Sequence, residues 1–96
     1  MNVELPELPF PVTVEIKGVT EVATFTELSD ALAAIRASLA RLPLDDDQSA
    51  YLADLFGEAS AARIAHRLVE FGVVCAIAYI GIESIHPIYL CAAAPA

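Results

Sequence analysis

Two periodicities share this chain. From Val12 to Lys17, the apolar Val12, Val14 and Ile16 alternate with Thr13, Glu15 and Lys17, the period-two pattern of a half-buried strand. Lys17-Gly18 marks a hairpin turn. A three-residue loop, Lys17-Gly18-Val19, sets Val14 opposite Val22 and keeps Glu21 off the apolar face, so a second strand is expected from about Thr20 to Phe25. The period then becomes helical. Leu28, Leu32, Ile35, Leu39 and Leu42 recur at spacings of four and three, a seam filled in by alanines. Thr24 and Thr26 are its candidate N-caps, Thr24-x-x-Glu27 has capping-box spacing, and Leu42-Pro43 ends it. Asp45-Asp46-Asp47-Gln48 opens a second helix, with carboxylates in the first turn and Gln48 three residues after Asp45. Tyr51, Leu52, Leu55 and Phe56 give its buried face and Gly57 its stop. Ser60 caps a third helix, striped by Ala61, Ile64, Ala65, Leu68 and Phe71 and stopped by Gly72.

The remainder of the chain is almost uncharged. Val73 to Ile80 is apolar on both faces of any strand: Val73, Cys75, Ile77 and Tyr79 on one side, Val74, Ala76, Ala78 and Ile80 on the other. After Gly81-Ile82-Glu83-Ser84 comes a second apolar run from Ile85 to Ala94. Strands 73–80 and 85–92 should pair as a hairpin. Apolar character on both faces predicts a central position for the first. Pro87, which has no N–H to donate, predicts an edge or a bulge for the second. The implied fold class is α+β: an N-terminal β-hairpin, three α-helices and a C-terminal β-hairpin, joined as one antiparallel sheet packed on the helices.

At 96 residues the chain is read as a single domain, 1–96, with 1–11 as an extended arm set by Pro6, Pro9 and Pro11. Its 13 acidic and 5 basic residues give a net charge of −8, which opposes a phosphate backbone and favours a basic or mixed protein surface. Glu4 and Glu7, with no basic residue before Val12, do not make a secretory leader, so a cytoplasmic location is expected, with Cys75 and Cys91 as buried reduced thiols. Residues 71–94 are long enough to span a bilayer, but Glu83, Ser84, His86 and Pro87 fall near the middle, and no membrane partner is expected.

Catalytic chemistry has no visible constellation. His66 and His86 are the only histidines, and neither lies in a His-Glu-x-x-His motif. The cysteines lack the close spacing of zinc ligands. Phosphate-binding glycine loops and nucleophile elbows are absent as well. No enzyme, metal or cofactor is expected, and the three aspartates are read as helix-capping groups.

Residues 45–92 resemble a winged helix-turn-helix. The likeness rests on Ala53 before Gly57, then Ser60-Ala61-Ala62-Arg63-Ile64-Ala65-His66-Arg67-Leu68, then Glu70-Phe71-Gly72-Val73-Val74 and a hairpin in the place of the wing. The resemblance implies a DNA-binding regulator that presents Arg63, His66 and Arg67. The charge balance ranks a different function first. It points to a small acidic protein-interaction module that binds or occludes a protein partner, as an inhibitor, antitoxin, immunity protein or phage-encoded defence inhibitor does, with Asp45, Asp46, Asp47, Asp54 and Glu58 as steering charges. Covering both faces of the last hairpin also calls for a homodimer, through that hairpin or through the Leu28–Leu42 seam.

Overall fold

The structure, a computed structural model, describes residues 8–93. Most of the expected arm, residues 1–7, lies outside them. Within them the order is β1 (Val12–Ile16), β2 (Ala23–Phe25), α1 (Leu28–Leu39), α2 (Asp46–Leu55), a single 3-10 turn (Glu58–Ser60), α3 (Ala61–Phe71), β3 (Val73–Ile80) and β4 (Ser84–Ala92). Both hairpins form and join into one antiparallel sheet, in the order β2-β1-β4-β3. The α+β class is therefore as the sequence implies.

The sheet has one covered face. The register sets Val14 beside Leu90 and Ile16 beside Ile88, and Leu90 and Ile88 beside Val74 and Ala76. Paired residues share a face, so these side chains form a single inner surface. Leu28, Ala31, Leu32, Ile35 and Leu39 of α1, Leu52 and Phe56 around α2, and Ala61, Ile64, Ala65 and Leu68 of α3 join the same core cluster. Leu8 and Phe10 pack against it from the chain entering β1.

Strand order departs from expectation. β4, which carries Pro87, is interior, between β1 and β3, and β3 is an edge. The interior proline is tolerated because its defect is repaired. Lys17 N–H donates to the Pro87 carbonyl at 2.9 Å, but Pro87 has no N–H to return the bond to Lys17. The His86 ring supplies it instead, with Nδ1 2.8 Å from the Lys17 carbonyl oxygen. Since that oxygen only accepts, Nδ1 carries the proton.

The N-terminal hairpin is looser than a three-residue loop makes it. Val14 pairs with Ala23 rather than Val22, and β2 begins at Ala23 rather than near Thr20. Thr20 ends the ladder early, because its Oγ1 accepts from Ile16 N–H at 3.0 Å. The shifted register turns Phe25 onto the inner face opposite Val12, where it packs on the core, and leaves Val22 exposed.

Helix ends also depart in part. α1 starts at Leu28 behind Glu27, with no side-chain cap from Thr24 or Thr26, and stops at Leu39, so Leu42 packs on the core from beyond the helix. Ser60 precedes α3, but its hydroxyl donates to the Asp54 carbonyl at 3.0 Å instead of capping. Tyr51 and Phe71 are solvent-exposed rather than buried, because neither helix is covered on that side. Two local expectations are met. Gly72 ends α3 in the left-handed region, with φ of 77°, and Asp45 caps α2, its Oδ1 accepting from Gln48 N–H at 2.7 Å. Asp45→Ala is expected to lower stability by about 1 kcal/mol in a urea titration. A change under a few tenths would show that α2 does not need the cap.

Candidate functional site

Among the described residues, no helix lies over the outer face of the β3–β4 hairpin. Val73, Ile77, Tyr79 and Ile85 are exposed large hydrophobics there, and Cys75 is exposed between them. On β1 the same face turns polar at Thr13, Glu15 and Lys17, where Lys17 Nζ lies 3.3 Å from Glu15 Oε1. The apolar patch is thus rimmed on one side by charge, the arrangement found at association surfaces. Apolar residues on both faces of β3 are the pattern of a central strand. The strand is at an edge, and only its inner face is covered.

The two edges of the sheet are built differently. β2 is three residues long. β3 is an eight-residue strand, Val-Val-Cys-Ala-Ile-Ala-Tyr-Ile, with no charge and no proline to discourage pairing. At one end it is already paired: the Gln48 side-chain amide donates from Nε2 to the Tyr79 carbonyl at 2.8 Å and accepts from Tyr79 N–H at 2.5 Å. Since backbone direction alternates, the N–H and C=O groups of Val73, Cys75 and Ile77 point outward with those of Tyr79. Beside them, between the edge and the helices, runs a groove of about 420 Å³ lined by Tyr51, Leu55 and Ile64, by Arg63 and Arg67, and by residues 73–77.

The acidic residues singled out in the sequence form no cluster. Asp45, Asp46 and Asp47 open α2, while Asp54 and Glu58 lie at its far end, about 13 Å away along the axis. All five are exposed, a charged stripe rather than a pocket. Arg63, His66 and Arg67 are exposed on α3. His66 Nε2 lies 3.3 Å from Glu70 Oε1, and Arg63 Nη2 donates to Ser60 Oγ at 3.4 Å. The hairpin in the wing position has Glu83 as the charged residue of its turn. Leu28, Leu32, Ile35 and Leu39 are buried within the fold, so the seam is not a surface for a second copy.

The thiols correct another expectation. Cys75 is exposed and Cys91 half-buried, both on the outer face and both free. Cys75 stands opposite Tyr89 and Cys91 opposite Val73, diagonal positions whose side chains are too far apart to bridge without movement. Among the described residues, no group of three His, Cys, Asp or Glu side chains is placed to hold a metal ion, and no helix is long and apolar enough to cross a membrane.

Comparison with protein-family models, curated proteins and solved structures finds no match to this chain. The fold and its uncovered surfaces therefore carry the functional reading. They define an α+β sheet domain with one face packed on helices, the other face partly apolar, and one edge open from Val73 to Ile77 among the described residues. Sequence reasoning missed the edge and its groove. The signal is present in a long strand with neither charge nor proline, a pattern shared by strands buried on both faces.

Proposed function

We propose that this chain is a small acidic protein-interaction module, acting by occupying the surface of a protein partner as inhibitors, antitoxins and immunity proteins do. The observation that carries this reading is the apolar outer face of β3–β4, left exposed in a domain whose other face packs on its helices. Such a face gains most when it excludes water against another protein. The exposed acidic stripe, Asp45, Asp46, Asp47, Asp54 and Glu58, supplies steering toward a basic or mixed surface. A DNA regulator built on Arg63, His66 and Arg67 gains less support, because the net charge is −8 and two or three phosphate contacts make weak binding.

In the absence of another partner, a second copy covers the same face, making a homodimer by sheet-on-sheet packing. Light scattering is expected to show twice the 10.2 kDa chain mass at micromolar concentration. Ile77→Asp, which places a carboxylate in the middle of the patch, is expected to return a folded monomer. A wild-type monomer at high micromolar concentration would remove the homodimer. A wild-type dimer that Ile77→Asp leaves intact would move the interface elsewhere.

A further inference from the structure

We infer that the β3 edge is a strand-addition site for an extended acidic segment of a partner protein, seated in the groove against Arg63 and Arg67. This rests on the reading of the chain as a protein-interaction module and names the chemistry of what it holds.

Three observations converge on one place. The first is the backbone. Val73, Cys75 and Ile77 turn their N–H and C=O groups away from β4, and among the described residues no backbone group pairs with them. An incoming strand finds three donors and three acceptors at the spacing of a sheet ladder. The second is Gln48, whose amide already makes with Tyr79 the two bonds that an added strand makes with a residue of this type. It shows that the edge accepts amide pairing, and it blocks the ladder at Tyr79. The free window is therefore Val73 to Ile77, five residues or about 17 Å of strand, and the groove is lined by the same residues, 73–77.

The third observation is charge. The chain has 5 basic residues, and two of them, Arg63 and Arg67, stand on the groove wall. Among the described residues neither is paired with a carboxylate. Side chains of an added strand alternate between faces. Those on the helix side enter the groove and meet Arg63 and Arg67 beside Ile64, Tyr51 and Leu55. Those on the outer side extend the apolar surface of Ile77 and Val73. The segment that fits has carboxylates on alternate residues and apolar side chains between them. A guanidinium presents a fork of donors to a carboxylate, so each such pair sets register as well as charge.

The test uses the whole chain and a fluorescein-labelled peptide of alternating valine and glutamate, with a valine–lysine peptide of equal length as control. Binding of the acidic peptide is expected to exceed that of the basic one at least about tenfold, and R63A/R67A is expected to abolish the difference. Amide shifts in a nitrogen–proton spectrum are expected at Val73, Cys75 and Ile77. Cys75→Pro removes one outward N–H without touching the β4 ladder and is expected to eliminate binding. Should that variant unfold, the acidic peptide N-methylated on its β3-facing amides gives the same test with an unaltered protein. Equal binding of the acidic and basic peptides, binding of the methylated peptide, or unmoved β3 amides would overturn the inference. A short DNA duplex that binds the arginines while leaving those amides unmoved would overturn it in favour of phosphate recognition. Any of these results obtained while light scattering still reports a dimer broken by Ile77→Asp removes strand addition alone and leaves the interaction module standing.

Discussion

Phe56→Ala is expected to cost about 3–5 kcal/mol, most of the stability of a domain this small. Phe56 is the largest fully buried side chain and has no exposed surface. It lies just past α2, at the helix's C-cap, in a core cluster with Leu52, Ile35, Ile64 and Leu68. Its backbone is held as well, since Arg36 of α1 donates from Nη1 to the Phe56 carbonyl at 2.8 Å. The ring is thus fixed between helices from two directions, and its removal leaves a cavity that the backbone cannot easily collapse. A urea titration followed by circular dichroism measures the loss. Tyr51→Ala, five residues earlier but 63% exposed, is the control and is expected to cost under about 1 kcal/mol. A loss below about 1 kcal/mol for Phe56→Ala would show that α2 is not part of the cooperative core.

Gly18→Ala is expected to cost about 2–3 kcal/mol through two separable effects. The residue has φ of +80°, where a side chain costs about 1–2 kcal/mol. A Cβ there also meets His86 Nδ1 at 2.9 Å, and that ring nitrogen donates to the Lys17 carbonyl in place of the missing Pro87 N–H. Displacing the ring leaves that acceptor without its partner, a further loss of about 1 kcal/mol. His86→Ala by itself removes only the second effect. The double substitution is therefore expected to cost less than the sum of the two single ones. Strict additivity in denaturant titrations would show that Gly18 and His86 act independently.

Much of the fold was legible in local signals. The alternation in Val12–Ile16 marked a strand and its buried face. Asp45 with Gln48 marked the start of α2, and Gly72 the junction of α3 with β3. Each signal lies within a few residues of the structure it specifies, because caps, turns and side-chain faces are made by near neighbours. The apolar character of residues 73–80 was equally plain. What it meant was not, since a hydrophobic pattern records what a side chain would gain by burial and not whether anything buries it.

The sequence by itself determined the elements, their order and the inner face of β1. Tertiary structure decided the strand order, and with it the candidate site. β1 pairs with β4 across most of the chain's length, which leaves β3 at the edge with its outer face and backbone open. No local rule reaches that far. Pro87 argues against an interior strand until His86 is brought to Lys17, and Val22 is a reasonable partner for Val14 until the core accepts Phe25 instead. Gln48 reads as a helix-start residue until α2 packs beside β3 and its amide meets Tyr79. In each case the deciding contact joins residues distant in sequence, so its energy exists only once the chain has folded.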